Sequence, residues 1–343
     1  KEKKRTMLNF RNDYSEGAHP TILEAMRQNN LTPVIGYGMD EYCAHAAAMI
    51  RERFGCPSAD VHFLVGGTQT NLTMIASALR PYEAVICADT GHINVHETGA
   101  IESTGHKVLT VPKEDGKLTP ADVLSVVRSH PDEHMVKPRM VYISQSTEVG
   151  TVYTRHELEA LRAVCDRQNL LLYLDGARLA SGMTAEDCDL IPADLHRLCD
   201  AFYIGGTKNG ALFGEALVLV NDALKPDFRY MIKNRGAMLA KGWLLGMQFE
   251  GLFTGDLYFT LGRHANAMAA RLRDGLIEKG YELAYPSTTN QVFAVLDKDQ
   301  IFELTTEAAF EFTKNWDATH DVVRFVTSWA TKVEDVDAML ALL

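Results

Sequence analysis

The sequence lacks the patterns that mark disulfide-rich, membrane-spanning and polyanion-binding proteins. Its six cysteines include no Cys-x-x-Cys pair, so in a chain of this length we expect buried thiols and a reducing, cytoplasmic location. No apolar run reaches the length of a membrane span, and residues 1–10 are too polar for a signal peptide. The net charge is −11, and the sequence has no basic run beyond residues 1–5. Both features argue against nucleic acid as a partner.

What the sequence does contain is an alternation of short apolar runs with longer helical patterns. The apolar fraction of 46% over 343 residues is sufficient for a large core without disulfides or metals. The patterns predict helices at residues 69–79, 119–127 and 155–167, and strands at residues 61–65, 84–88, 140–144, 170–174 and 216–220. Because these strand runs are continuously apolar, we expect a mostly parallel, doubly wound α/β sheet with both faces covered by helices.

The pattern changes after about residue 240. A helical stretch at residues 258–279 is followed by single predicted strands at residues 291–296 and 322–326. We therefore predict a large α/β domain, including the N-terminal segment, at residues 1–240, and a smaller α+β domain at residues 241–343. No low-complexity linker separates them, so close packing is expected.

The first predicted strand ends in a glycine-rich turn that leads into a helix. Ligands of open α/β sheets bind at the carboxyl ends of the strands, and small residues such as Gly66 and Gly67 let the backbone approach a phosphate at a helix N-terminus. An ordinary strand-to-helix turn is the alternative. The dinucleotide and nucleotide-triphosphate spacings are missing, so the phosphate is expected to belong to a compact cofactor.

Two further strand ends carry ionisable residues. Asp175 follows residues 170–174, where it could cap a helix or keep a pyridine nitrogen protonated, and Arg178 could pair with an amino-acid carboxylate. Lys208 ends an apolar run between glycines. Desolvation lowers the pKa of a lysine and frees its amine to form an imine, whereas a surface lysine is the alternative.

Together these residues resemble the threonine aldolases and related β-eliminating lyases, which are fold-type I pyridoxal-phosphate enzymes. The resemblance covers nearly the whole chain, in the same order. It rests on Arg11-Asn-Asp13, Tyr37-Gly-Met-Asp40, Gly67-Thr-Gln-Thr-Asn71, His92 with residues 97–100, Asp175-Gly-Ala-Arg178, Thr207-Lys208 and Val323-Arg-Phe-Val326. It implies a transferase-like α/β fold with a mostly parallel sheet in the large domain and a smaller C-terminal α+β domain.

The resemblance also implies how the cofactor, pyridoxal 5'-phosphate, is held. Lys208 would carry it as a Schiff base, Asp175 would pair with its pyridine nitrogen and His92 would stack on its ring. A histidine with only a structural role is the alternative for His92. The implied cofactor-binding set is Gly67, Thr68, His92, Asp175, Arg178, Thr207, Lys208 and Lys241.

The substrate implied by the resemblance is a small amino acid. Asn12, Arg178 and Arg324 would hold its carboxylate, although Arg324 could also be a snorkelling edge residue. Tyr37 and Lys241 fall where relatives reach into a neighbouring subunit's site. A homo-oligomer is therefore implied, as a dimer of dimers, and no metal ligands are assigned.

Glu148 departs from the pattern of the family. In Ser146-Thr-Glu-Val-Gly150 it stands where many threonine aldolases carry a histidine beside the substrate's β-hydroxyl. As a carboxylate near a cationic ring it is expected to stay ionised, and it could accept the hydroxyl proton or orient a water.

The expected reaction is retro-aldol cleavage of a β-hydroxy-α-amino acid, giving glycine and acetaldehyde from threonine or allo-threonine. Two alternatives are kept. One is β-elimination on a serine-, cysteine- or tryptophan-like substrate. The other is a binding or assembly protein without catalysis, against which the presence of Lys208, Asp175 and Arg178 argues.

Overall fold

The computed structural model describes residues 7–343, which form one large and two small β-sheets. The strands are β1 (Leu8–Asn9), β2 (Asp60–Leu64), β3 (Glu83–Ala88), β4 (Val108–Val111), β5 (Lys137–Ser144), β6 (Leu171–Asp175), β7 (Ala201–Gly205), β8 (Glu215–Leu219), β9 (Gln291–Asp297), β10 (Ala308–Ala309), β11 (Glu311–Asn315) and β12 (His320–Val326).

Helices connect most of these strands. They are α1 (Pro20–Asn29), α2 (Glu41–Arg53), α3 (Gly67–Ala78), α4 (His92–Val95), α5 (Pro120–Arg128), α6 (Arg155–Gln168), α7 (Leu179–Met183), α8 (Pro192–Leu198), α9 (Phe228–Asn234), α10 (Trp243–Phe253), α11 (Leu257–Glu278), α12 (Lys298–Leu304) and α13 (Val333–Leu342). The starts of α5 and α6 follow from local sequence, because Thr119 with Asp122 and Thr154 with Glu157 form capping boxes.

The large sheet has the strand order β2-β8-β7-β6-β5-β3-β4. Only β8 among these described strands runs antiparallel to its neighbours, and the other adjacent pairs are parallel. The prediction of a mostly parallel α/β sheet is confirmed. Parallel strands require crossover connections, which the helices between β3 and β7 supply.

Burial of the sheet follows the position of each strand. Every residue of β3, β6, β7 and β8 is buried, as the continuous apolar runs predicted. The expectation fails for β2, most of which is only half-buried, because β2 lies at the edge of the sheet. The short edge strand β4 was not predicted, since its four residues include the exposed Thr110.

The C-terminal part contains the antiparallel sheet β11-β12-β9. Its core, which includes Leu272 and Phe325, also contains Phe10 from the N-terminal segment, and β1 pairs with β10. In contrast, Phe249 and Leu252 of α10 belong to the core of the large sheet. The division at residue 240 stays a prediction, and this packing favours placing α10 with the large domain.

The cysteines are free thiols, and all are buried except the partly exposed Cys188, in agreement with the sequence-based expectation. Among residues 7–343, no helix combines the length and apolar character needed to span a membrane.

Candidate active site

A cavity of about 550 Å³ lies at the carboxyl ends of the strands of the large sheet. Nine of the residues singled out from the sequence line it: Gly67, Thr68, His92, Glu148, Asp175, Arg178, Thr207, Lys208 and Arg324. They come from both the large sheet and β12. Strand order therefore brings together residues that are up to 257 positions apart, from Gly67 to Arg324 (324 − 67).

Lys208 is held three residues beyond the end of β7. A Cβ on Gly205 would lie 2.4 Å from the carbonyl oxygen of Ala177, and one on Gly206 would lie 2.8 Å from that of Gly214, so the glycines allow the close backbone packing that places Lys208. Burial and the charge of Arg178 lower the pKa of Lys208. The amine is thereby poised to react as a nucleophile.

Asp175 is fixed at the tip of β6 with 3% of its surface exposed. Its Oδ2 accepts hydrogen bonds from the Tyr142 hydroxyl at 2.5 Å and from Asn71 Nδ2 at 3.1 Å. Its Oδ1 accepts one from the Ala177 N–H at 2.9 Å. The residue preceding α7 is Arg178, and no side chain caps that helix, so the helix-cap alternative for Asp175 is not supported.

A buried network links Asp175 to His92. Asn71 Nδ2 donates to both Asp175 and Glu97 Oε1, the latter at 2.7 Å, and the Tyr173 hydroxyl donates to Asn71 Oδ1 at 2.9 Å. Glu97 Oε1 in turn lies 2.8 Å from His92 Nδ1. One ring nitrogen of His92 is thus anchored, which sets the orientation of its ring in the cavity wall.

The N-terminus of α3 opens into the same cavity. Gly66 precedes the helix without a side-chain cap, and a Cβ on Gly67 would lie 3.0 Å from the Tyr203 hydroxyl oxygen. The first N–H groups of a helix and its dipole attract anions. Gly66, Gly67 and Thr68 therefore form a cradle suited to a phosphate.

Two arginines, Arg178 and Arg324, also line the cavity. Arg178 Nε and Nη2 donate to the two oxygens of Asp13 at 2.7 and 3.1 Å, and Asp13 is 1% exposed. Burial acts to raise the pKa of Asp13, but the charges of Arg178 and Lys208 and its hydrogen bonds outweigh burial, so the pKa is lowered. The Arg324 side chain has only Gln291 Oε1, at 3.2 Å, as a hydrogen-bond partner within residues 7–343.

Three predicted residues lie outside this cavity. The Asn12 side chain accepts hydrogen bonds from the Tyr14 N–H and the Ser15 hydroxyl, and its neighbour Asp13 makes the contact with Arg178 instead. Tyr37 is exposed and its N–H donates to the carbonyl of Ala240, which places it close to Lys241. Their roles in a neighbouring subunit's site stay predictions.

Two buried glutamates have altered proton affinity. Glu148 Oε1 accepts hydrogen bonds from the Ser144 hydroxyl at 2.8 Å and the His92 N–H at 3.1 Å, yet burial and the charge of Asp175 raise the pKa of Glu148. This direction is opposite to the effect of a nearby cationic group, because loss of water and the charge of Asp175 outweigh the nearby donors. The sequence also gave no reason to select Glu215, which binds the Thr207 hydroxyl at 2.9 Å and whose pKa burial raises to about 8.

Comparison of the sequence with known families agrees with this geometry. The sequence pattern of the β-eliminating lyases matches residues 9–299. The chain belongs to the β-eliminating lyase family. This lyase is 34% identical to the low-specificity L-threonine aldolase of Pseudomonas aeruginosa, over 95% of this chain and 94% of the relative.

Solved structures similar to this chain support the same family. This lyase is 51% identical to Leishmania major threonine aldolase, with a TM-score of 0.96 over 97% of this chain and 98% of that one. A Thermus thermophilus aspartate aminotransferase, at 15% identity, has a TM-score of 0.73 over 98% of this chain and 90% of its own, which shows the shared fold alone. The fold is therefore fold type I, and the chain is a pyridoxal-phosphate-dependent lyase.

The residues present fit this cofactor. A lysine with a lowered pKa, a buried carboxylate at a strand tip and an uncapped glycine-rich helix start lie around one cavity. These groups match an aldehyde, a pyridine nitrogen and a phosphate, respectively. The donor set is thus that of a pyridoxal-phosphate site.

The contact between Arg178 and Asp13 predicts a stability effect. We expect Arg178→Ala to lower the free energy of unfolding by about 3–5 kcal/mol, because it leaves a buried carboxylate without its partner. Urea denaturation would measure this loss, and Arg271→Ala, which breaks the exposed pair with Asp337, is the control, with little expected change. Equal stabilities of the two variants would contradict a structural role for the buried pair.

Proposed function

We propose that this lyase cleaves β-hydroxy-α-amino acids by a retro-aldol reaction, converting threonine or allo-threonine to glycine and acetaldehyde. The observation that carries the proposal is the single cavity in which Lys208, Asp175 and the arginine pair of Arg178 and Arg324 meet. The relatives named L-threonine aldolase in Pseudomonas aeruginosa and threonine aldolase in Leishmania major support the choice of reaction.

Different residues of the cavity would contact different groups of the cofactor. When bound, pyridoxal 5'-phosphate withdraws electrons from the substrate Cα and so weakens the bonds to it. Lys208 would attach the cofactor through its amine, and Asp175 would hold the proton on the pyridine nitrogen. Gly67 and Thr68 would bind the phosphate at the start of α3, and the anchored ring of His92 would contact the cofactor ring.

Substrate orientation selects the bond that breaks. Arg178 and Arg324 bind the substrate carboxylate, and the Asp13 ion pair keeps Arg178 in place. Thr207, whose hydroxyl is fixed by Glu215, sets the backbone of the segment that carries Lys208. The carboxylate contact thereby directs the Cα–Cβ bond of the substrate relative to the cofactor.

The products decide between the two candidate reactions. Purified enzyme with pyridoxal 5'-phosphate should form glycine and acetaldehyde from threonine or allo-threonine. Release of ammonia and an oxo acid from threonine or serine, without glycine, would instead identify β-elimination. Failure to bind the cofactor, seen as no visible absorbance, would support a non-catalytic protein.

Arg324 provides a test of the carboxylate site. We expect Arg324→Gln to weaken substrate binding by about 1.5–3 kcal/mol through loss of a charge-assisted contact, seen mainly as a higher KM for threonine. Arg324 has no carboxylate partner in the described part of the chain, so folding should be preserved. Arg263→Gln, on the exposed face of α11, is the control, and an unchanged KM in Arg324→Gln would exclude it from substrate binding.

We further propose a cytoplasmic homotetramer in which Tyr37 and Lys241 complete a neighbouring subunit's site. The loop before α2 supports an interface there, because Ile35, Tyr37 and Met39 expose 69%, 48% and 62% of their surfaces, and clustered apolar exposure marks contact surfaces. Sedimentation measurements would give the subunit number. A fully active monomer would contradict a shared site.

A further inference from the structure

We propose that His96 accepts the proton of the substrate's β-hydroxyl group, an inference that rests on the proposed retro-aldol function. His96 lies four residues after His92, at the end of the single turn α4, and residues at this spacing share one side of a helix. The two ring centroids are 5.4 Å apart. Both histidines line the cavity that contains Lys208 and the arginine pair.

The two histidines differ in what their rings contact. His92 Nδ1 is bound to Glu97, which anchors its ring. Within residues 7–343, no hydrogen bond involves a ring nitrogen of His96, whose backbone N–H alone donates, to the carbonyl of His92. His96 lines the cavity and is exposed to solvent. A ring nitrogen of His96 is therefore free to meet a substrate group and then to exchange its proton with water.

The charges in the cavity favour the neutral form of this histidine. Burial, followed by the positive charges of His92, Arg324, Lys208 and Arg178, lowers the pKa of His96. His96 lines the same cavity as Lys208 and the arginine pair, and burial together with these charges favours an unprotonated imidazole near neutral pH. A neutral imidazole in hydrogen-bond reach is the usual general base of enzymes.

Glu148 is less suited to the same task. Its Oε1 already accepts two hydrogen bonds, from Ser144 and from the N–H of His92. Burial and the charge of Asp175 also raise the pKa of Glu148, whereas no ring nitrogen of His96 is engaged in a hydrogen bond within residues 7–343. The contacts of Glu148 instead connect the end of β5 to the start of α4, so it positions the turn that carries His92 and His96.

The proposed step balances without any further reagent. The O–H bond of the β-hydroxyl breaks, its proton passes to a ring nitrogen of His96, and its electron pair forms the C=O bond of the aldehyde. The Cα–Cβ bond breaks at the same time, and its electron pair remains with Cα. His96 then releases the proton to water, and Cα takes up one proton to give glycine.

The test compares two reactions of the holoenzyme. In His96→Ala we expect kcat for threonine cleavage to fall roughly 100-fold or more, the usual contribution of a general base, with the KM for threonine little changed. Exchange of the glycine α-hydrogen in D₂O, followed by NMR, involves no hydroxyl proton and should stay within about 3-fold of wild type. Added imidazole should restore part of the cleavage rate.

One variant serves as the control and a second tests the rival base, with all rates normalised to bound cofactor. His134→Ala removes an exposed histidine outside the cavity and should behave as wild type. Glu148→Gln removes the rival base, and it should lower the cleavage rate less than His96→Ala does.

Several results would overturn the assignment. These are an unchanged kcat in His96→Ala, an equal loss of cleavage and glycine exchange, a rise in KM without rescue by imidazole, or a 100-fold loss of cleavage confined to Glu148→Gln. Failure of the proposed function is distinguishable from these, because wild-type enzyme would then form no glycine from threonine.

Discussion

Replacing Lys208 with alanine should lower the turnover of threonine by about 10⁴-fold or more, the upper range for loss of one positioned proton-transfer group. The effect is expected to be this large because the proposed role of Lys208 is to attach the cofactor through its amine in the cavity where the substrate would bind. The visible absorbance of the bound cofactor should change at the same time. Steady-state kinetics and an absorbance spectrum of purified Lys208→Ala would measure both effects.

Replacing a second lysine controls for the loss of one positive charge in Lys208→Ala. Lys279, exposed at the end of α11, can be replaced with alanine and should leave turnover unchanged. Borohydride reduction of wild-type enzyme followed by peptide mapping should place the cofactor on the peptide containing Lys208. Recovery of the label on Lys233 or Lys241 would refute the central assignment.

Replacing Asp175 with asparagine should reduce kcat by about 100- to 1,000-fold, the range found when one preorganised electrostatic contact is removed, while the cofactor stays bound. A neutral amide no longer holds the proton on the pyridine nitrogen, so the ring withdraws electrons poorly. The proposed contacts of the cofactor with Lys208 and the start of α3 remain in this variant. Turnover per bound cofactor is the quantity to compare.

Asp89 offers a matched control for this variant. It also follows a strand of the large sheet, β3, and its Oδ1 accepts a hydrogen bond from the Lys113 N–H, but it does not line the cavity. Asp89→Asn should therefore retain turnover per bound cofactor. If Asp175→Asn kept the wild-type rate, or lost its cofactor entirely, the proposed contact with the pyridine nitrogen would be incorrect.

The positions of Lys208 and Asp175 could be anticipated because each depends on short-range sequence. An apolar run predicts a buried strand, and the residue at its carboxyl end is expected at the ligand-binding edge of an α/β sheet. The glycines near Lys208 distinguished it from a typical surface lysine, and the structure shows why Gly205 is needed, since a Cβ there would lie 2.4 Å from the carbonyl oxygen of Ala177.

The partners of these residues were not predictable in the same way. Asp13 meets Arg178 across 165 positions, and Asn71 meets Asp175 across 104. Asp13 and Asn71 lie in segments that carry the family resemblance, but nothing in those segments indicates which distant side chain each one contacts. The raised pKa of Glu148 likewise depends on its burial and on the charge of Asp175, which strand order brings near it.

The sequence by itself determined the alternation of strands and helices, the helix starts at the capping boxes and the strand-end positions of Lys208 and Asp175, since all of these depend on neighbouring residues. The tertiary structure alone decided that Arg178 is paired with Asp13, that Asn12 lies outside the cavity, that the pKa of Glu148 is raised and that the ring of His96 has no hydrogen-bond partner among residues 7–343. Hydrogen bonding, burial and charge at these sites come from residues far apart in the chain, and strand order and packing determine which of those residues meet.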